Sequence, residues 1–382
     1  MTLAILSSFS AATPCFPTLT AIFDAWMTPS SSSLPSKFGP SSEYDNHADD
    51  PQMFRHLTFA AIEPVISEVA DRGTCGFILA SAKGNIGVLQ HWLDLSGGFA
   101  RDAASPGNPP SLMDCAQNLA AEFGLGGSCA VVSTACTSGL SGLIEAAMMV
   151  DAGQQTEIVV LAVDIASLFV CDGFTALKAL AAQACRPFDR HRDGLALGSA
   201  AAACLVQRSD IFAGKKADTF ACTLCGRGAA MDAVHLTAPD RQAGGLIRAV
   251  EMALRTGGLS TSQIDAVLLH GTGTPYNDAM EATAVQKIFS HSPPLTAVKG
   301  HIGHTLGASG LIETALASEI LHRGVLPPTT GLSDSQWPEL DFVQTARSVP
   351  SIRRILKTSS GFGGINAAVI LEKLKSNDIT GA

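Results

Sequence analysis

Apolar and polar positions along the chain follow two alternating periods. Short runs dense in β-branched and small apolar residues recur at 3–10, 76–80, 130–132, 158–163, 200–207, near Phe220, 266–269 and 296–298, with a final pair over 358–371. Their length and their Gly, Ser, Thr and Asp boundaries predict strands, most of them buried. Between them, apolar residues spaced three and four apart predict helices: around Leu19, Ile22, Phe23 and Trp26, over 53–70, over 112–123, through Leu143, Ile144, Ala147 and Met148, and over 244–255 and 307–321. Residues 28–50 and 96–110, rich in Ser, Pro, Gly and Asp, read as exposed loops, and Pro187 to Gly194 as a polar turn. Alternating strands and helices predict an α/β protein. The charged segment 208–218 is the natural boundary, giving one half over 1–210 and another over 211–382. The order of elements suggests a duplication, although no residue-level repeat is visible.

Composition narrows the function. Hydrophobic residues make up 46% and charged residues 15%, which fits a well-buried core and excludes a disordered chain. A formal charge of −9, with no Lys/Arg run, argues against nucleic-acid binding. Ten cysteines have no framework spacing, and the lone Cys222-Thr-Leu-Cys225 pair reads as packing, not as a zinc site, so the chain is expected to be reduced and cytoplasmic. The apolar start Leu3–Leu6 is short and has no basic flank, so a first strand is expected there and not a signal peptide. No apolar run has the length of a membrane span.

Four stretches carry chemistry. In Val131-Val132-Ser133-Thr134-Ala135-Cys136-Thr137-Ser138-Gly139, Cys136 lies where a strand turns into a helix. Free N–H groups and the helix dipole there favour a thiolate and a developing oxyanion, although a Cys among Ala, Thr and Ser can also be a small packing residue. His270-Gly-Thr-Gly-Thr-Pro275 leaves the end of a strand, where α/β proteins place sites; alone, His270 could equally be a hydrogen-bonded core residue. Lys299-Gly-His301-Ile-Gly-His304 has no acid or Cys to complete a metal set, so Lys299 is better explained as support for an imidazole, with Glu281 as the expected counter-charge. Gly361-Phe362-Gly363-Gly364 can present an N–H group, or can simply be a glycine-rich hairpin.

Taken in order, Thr134-Ala-Cys136-Thr-Ser-Gly, His270-Gly-Thr-Gly-Thr-Pro with Asp278 and Glu281, Lys299 through His304-Thr-Leu-Gly-Ala, and Gly361-Phe-Gly-Gly-Ile-Asn resemble the β-ketoacyl-[acyl carrier protein] synthases of the thiolase superfamily. Pro187-Phe-Asp through Arg192-Asp-Gly and Asp232 through Pro239 resemble further family segments; His235, within the latter, reads as structural. The resemblance runs from about Gly76 to Leu371. It implies a thiolase-like five-layered α-β-α-β-α fold made of two similar halves, and an acyltransferase that performs a decarboxylative Claisen condensation of an acyl thioester with malonyl thioester. It implies Cys136 as nucleophile, His270 and His304 as donors, Lys299 with Glu281 as supporting pair, and the Cys136 and Phe362 amides as oxyanion hole. Thr272, Thr274, Phe174 and Phe362 would line the pantetheine and acyl channel. No bound cofactor or metal is implied, the substrates being carried on the 4′-phosphopantetheine of acyl carrier protein.

An acidic carrier protein would dock on basic residues, and Lys178, Arg353 and Arg354 are the contributors expected from sequence proximity. The resemblance also implies a homodimer, or a heterodimer with a related chain-length-factor subunit. The alternatives are that this chain is itself such a non-catalytic companion, which Cys136 argues against, or another thiolase-fold acyltransferase, which the paired histidines with Lys299 argue against. Three features depart from the family pattern: Gly198-Ser199-Ala200, where an acidic residue commonly stands between glycines, the opening Leu6-Ser7-Ser8-Phe9, and residues 28–50. The condensation would serve fatty acid or polyketide/polyene synthesis; the three departures argue against a housekeeping fatty-acid elongating member and fit a divergent synthase for a specialised polyketide or polyene chain.

Overall fold

A computed structural model describes residues 4–27, 51–84, 111–212 and 220–374. The expected loops 28–50 and 96–110, and residues 213–219 of the expected boundary, lie outside the described residues.

The strands are β1 (Ala4–Ala12), β2 (Gly76–Ala80), β3 (Cys129–Val132), β4 (Glu157–Asp164), β5 (Ala200–Arg208), β6 (Cys222–Met231), β7 (Ala266–Leu268), β8 (Leu295–Thr296), the short pair β9 (Val325–Leu326) and β10 (Arg347–Ser348), then β11 (Arg354–Gly361) and β12 (Ile365–Lys373). The main helices are α1 (Leu19–Met27), α2 (Pro51–Ile66), α3 (Leu112–Glu122), α4 (Ser138–Asp151), α5 (Leu168–Ala176), α6 (Gly244–Gly257), α7 (Pro275–Ile288) and α8 (Ser309–Arg323). Sequence periodicity missed α5, α7, β9 and β10.

Ten strands form one sheet in the order β3-β2-β4-β5-β1-β6-β12-β11-β7-β8. The two halves of that order are the same. Numbered within each half, both read 3-2-4-5-1, with the first three strands parallel and the remaining pairs antiparallel. The halves meet through a short β1–β6 pairing at Ile5–Thr223 and Leu6–Cys222.

Side chains alternate between faces as the period of a strand requires. On β4, Val159, Leu161 and Val163 join the core beneath α2 and α3, while Ile158, Val160 and Ala162 face the central core. On β12, Ala367, Val369 and Leu371 face that same central core, and Ala368 and Ile370 join the core beneath α6 and α7. Helices α4 and α8 lie between, each touching strands of both halves. From Ser309 to Leu321 every residue of α8 is buried, as expected of a helix enclosed on all sides. The five layers are thus α2/α3, the first half-sheet, α4/α8, the second half-sheet, and α6/α7.

The duplication does reach residue level. Thr134-Ala-Cys-Thr-Ser138-Gly139-Leu140 and Thr305-Leu-Gly-Ala-Ser309-Gly310-Leu311 share Thr-x-x-x-Ser-Gly-Leu, and each makes a 3-10 turn leading into a central helix. Both turns carry a left-handed residue at the same place, Ala135 with φ 52° and Leu306 with φ 53°. The two glycines let the helices touch: a Cβ on Gly139 would lie 2.8 Å from the Leu311 nitrogen, and one on Gly310 would lie 2.4 Å from the Leu140 nitrogen.

One expectation needs correcting. The strand before Cys136 is half-exposed throughout and not buried, because among the described residues β3 is the outermost strand of the first half and has a neighbour on one side only.

Candidate active site

Cys136 sits in the 3-10 turn between β3 and α4, 7% exposed, at the base of a pocket of about 350 Å³. His270 and His304 line the same pocket, together with Thr272, Thr274 and Phe362. The fold brings them there from both halves. β3 delivers Cys136, the chain leaving β7 delivers His270, and the turn after the one-turn helix Lys299–Ile302 delivers His304. The imidazoles stand edge to face, with centroids 5.2 Å apart and planes at 87°.

Hydrogen bonding fixes which nitrogen of each ring carries hydrogen. The Leu306 N–H donates to His304 Nδ1 at 3.2 Å. A backbone amide can only donate, so Nδ1 is the acceptor and Nε2 holds the hydrogen. Lys299 Nζ lies 3.1 Å from His270 Nδ1 and donates to the His270 carbonyl at 2.7 Å. An ammonium likewise only donates, so His270 also carries its hydrogen on Nε2. Burial, reinforced by the Lys299 charge, holds both rings well below the usual histidine range and hence neutral.

The thiol behaves differently from the sequence expectation. Burial pushes Cys136 up to about 11, and the opposing pull of Lys299, of the Phe362 N–H on the sulfur and of Lys83 does not offset it. A sulfur removed from water loses more solvation as a thiolate than the surrounding donors return. At rest Cys136 is a thiol.

The counter-charge also differs. Lys299 pairs with Glu313 on α8, both fully buried, and not with Glu281. Glu281 instead accepts from the His270 and Gly271 amides at 2.8 and 2.7 Å, from Asn277 Nδ2 at 3.0 Å and from Thr358 Oγ1 at 3.1 Å. It braces the backbone of the His270 turn. Sequence reading expected Glu281, although Glu313 is the nearer acid along the chain, 14 residues from Lys299; the packing of α8 is what turns Glu313 towards the ammonium. Asp278, one helical turn before Glu281 on α7, accepts from Phe188, Thr272 and Gly273 amides at 2.8, 3.1 and 3.2 Å, and burial pushes it up to about 7. Gly273 must be glycine: its φ is +76°, and a Cβ would lie 2.7 Å from the Gly194 oxygen.

Phe362 crosses the pocket and stacks on Phe174, centroids 5.7 Å apart. Gly361 packs against the Cys136 turn, where a Cβ would lie 3.3 Å from the Cys136 nitrogen. The Thr272 and Thr274 hydroxyls are bonded to each other at 2.9 Å. Lys178 lines the pocket, but Arg353 and Arg354 do not. They stand at the start of β11, about 23 Å of extended strand from Gly361, where Arg354 pairs with Glu372 at 2.6 Å. Nearness in sequence was misleading because a strand carries its two ends to opposite edges of the sheet. His301 and His304 diverge: His301 stacks on Phe16 with centroids 5.4 Å apart, while His304 faces the pocket. Among the described residues no cluster of three metal-ligating side chains occurs.

Sequence reasoning missed several residues that organise the site. Asp164, ending β4, accepts from Ser81 Oγ, the Ala82 N–H and the Gly307 N–H at 2.8, 2.8 and 2.7 Å, tying the first half to the turn after His304. Asn366 donates to Asp232 Oδ1 at 3.0 Å and accepts from Ser360 at 2.7 Å. Asp232 in turn holds the 232–245 loop through the Asp240 and Gly245 amides at 3.0 and 3.1 Å. His235 accepts from the Thr237 and Ala238 amides within that loop, both at 3.1 Å. A polar residue ending a buried strand was the available signal for Asp164.

The sequence matches the β-ketoacyl synthase N-terminal domain over residues 70–210 and the C-terminal domain over 221–333. The chain belongs to the β-ketoacyl synthase family. Members of this family are condensing acyltransferases of fatty acid and polyketide synthesis. The chain is 31% identical to a 3-oxoacyl-[acyl-carrier-protein] synthase 2 of Coxiella burnetii over 70% of this chain and 67% of that one. It is 30% identical to a putative polyketide β-ketoacyl synthase 1 of Streptomyces cyaneus over 88% of each. A ketosynthase from Xenorhabdus doucetiae, solved in complex with its chain length factor, shares the fold across 98% of both chains, with a TM-score of 0.77 and 23% identity. This β-ketoacyl synthase has the thiolase-like five-layered fold. Among the described residues, no helix is long and apolar enough to cross a membrane.

Proposed function

We propose that Cys136 is the acyl-accepting nucleophile of a decarboxylative condensation whose substrates arrive on the phosphopantetheine arm of an acyl carrier protein. The observation that carries this reading is the convergence of two neutral imidazoles, each with its hydrogen on Nε2, on the pocket that holds a buried thiol.

In the first half-reaction the Cys136 sulfur attacks the carbonyl of the incoming thioester. The S-acyl bond forms, the carbonyl–pantetheine sulfur bond breaks, and the cysteine proton ends on the departing thiol. The Phe362 N–H and the Cys136 N–H stabilise the tetrahedral oxyanion. A thiol suits the task because sulfur is both a soft nucleophile and a good leaving group.

Malonyl thioester then binds and loses carbon dioxide. The electrons of the broken C–C bond pass into an enolate whose oxygen accepts from the Nε2–H groups of His270 and His304. The enolate carbon attacks the acyl carbonyl, and collapse expels Cys136 thiolate, which takes up one proton as the β-ketoacyl thioester leaves. Neutral rings are the required state, because each must supply a hydrogen without surrendering it. Thr272 and Thr274 line the arm's approach, and Phe362 stacked on Phe174 separates that approach from the acyl channel.

Lys178, at the pocket, is the basic contact proposed for the carrier protein. The partly exposed apolar edge of β3 supports pairing with a second ketosynthase-fold subunit, identical or related. A cytoplasmic setting fits ten cysteines that are all free thiols. Incubating the protein with acyl- and malonyl-loaded carrier proteins and weighing protein and products tests the reading. It predicts an acyl adduct on Cys136 and a two-carbon-extended β-ketoacyl product; formation of that product by Cys136→Ala would overturn it.

A further inference from the structure

A second lysine lies beneath the site with no part in the steps above. Lys357, in the middle of β11, is fully buried. Its Nζ is 2.6 Å from Glu313 Oε2 and also donates to the Thr358 carbonyl. Glu313 therefore bridges two ammonium groups, Lys299 on Oε1 and Lys357 on Oε2. Adjacent residues of the strand serve opposite layers: Lys357 reaches α8 at Glu313, while Thr358 reaches α7 at Glu281.

We propose that Lys357 is a positioning residue for the condensation: by anchoring the second oxygen of Glu313 it fixes the carboxylate that holds Lys299 against His270. The inference rests on the roles given above to His270 and His304. A carboxylate with one partner can rotate, and Lys299 would follow it; with an ammonium on each oxygen its plane is set. Burying the second ammonium carries a desolvation cost, which is why burial holds Lys357 below its ordinary value. Its charge has a further consequence. The charged and titratable groups around the two rings are Lys299, Lys357 and Lys83 on the cationic side, Glu281, Glu313, Asp278 and Asp164 on the anionic side, and the Cys136 thiol. Lys357 is among those that disfavour protonation of both imidazoles.

The test is Lys357→Met, assayed for turnover and KM with acyl- and malonyl-loaded carrier protein across pH. Turnover is expected to fall by about 10- to 100-fold through lost alignment, with KM little changed. With one cation removed, each ring accepts a proton more readily, so the acid limb of the profile moves to higher pH. A pH profile superimposable on wild type, even with a lowered melting temperature, overturns the proposal.

If the single variant does not fold, the pair Glu313→Gln and Lys357→Met/Glu313→Gln decides, since neither leaves an unpartnered carboxylate. A lysine acting through Glu313 gives equal turnover in both, whereas a further loss in the double variant overturns the idea. Failure of the condensation itself would show in wild type. In that event the 13C-imidazole titrations of His270 and His304, raised by Lys357→Met or unmoved, still decide the role of Lys357.

Discussion

Lys299 grips His270 twice, donating to its carbonyl oxygen at 2.7 Å and standing 3.1 Å from its Nδ1. A single ammonium thus sets both the place of the residue on its turn and the tautomer of its ring. His304 reaches the same tautomer by another route, through the Leu306 amide. The site contains two donors of the same kind, made independently, and the predictions follow from that arrangement.

Replacing either ring should separate the two half-reactions. His304→Ala or His270→Ala is expected to lower condensation by about 10²–10³-fold, the loss typical of one oxyanion donor. Acylation of Cys136 should persist, seen as the acyl mass on intact protein. Equal loss of both half-reactions would contradict the assignment.

Because burial holds the Cys136 thiol near 11, the thiolate fraction grows with pH throughout the neutral and mildly alkaline range. Iodoacetamide alkylation of Cys136 in the free enzyme should keep rising from pH 7 to pH 10. A plateau near pH 7 would mean that the turn stabilises the thiolate after all.

Glu313 has no solvent to replace its partners. Glu313→Gln should lower the unfolding free energy by about 3–5 kcal/mol, the usual consequence of removing one member of a buried ion pair, as measured by urea denaturation. Glu313→Ala should cost more, through the added cavity.

His301 supplies a pH test away from the chemistry. Its ring is stacked on Phe16, its Nε2 has no protein partner, and burial holds it down to about 4. Unfolded, it would titrate near 6.5. Below that value the unfolded chain binds a proton that the native ring refuses, so stability is lost as pH falls from about 6.5 towards 4. His301→Phe should keep the stack and remove this loss. The stability gain over wild type should be about 2 kcal/mol larger at pH 5 than at pH 8, read by denaturant titration at the two pH values.

Much of this protein was legible in its sequence. Strand and helix periods located nearly every main element, because buried runs such as Ile158–Val163 and stripes such as Leu19, Ile22, Phe23 and Trp26 record the face they bury. The ends of strands located Cys136, His270 and Lys299–His304, because in an α/β chain the residue leaving a buried strand is the one delivered to a site.

Only the tertiary structure decided which charges meet. Glu281 was the partner expected for Lys299, yet Glu313 reaches it, because α8 runs through the central layer directly beneath it. Lys357 stood just before the strand pair expected over 358–371, and Arg353 and Arg354 looked close to the Gly361 segment; the packing of β11 between two helical layers buries the first and the strand's length removes the other two. The same holds for the thiol: a local reading sees the helix end that favours a thiolate, while the desolvation that opposes it comes from layers contributed by the whole chain. Sequence fixes what neighbours along the backbone can do, whereas ion pairing and proton affinity depend on distances in space and on excluded water.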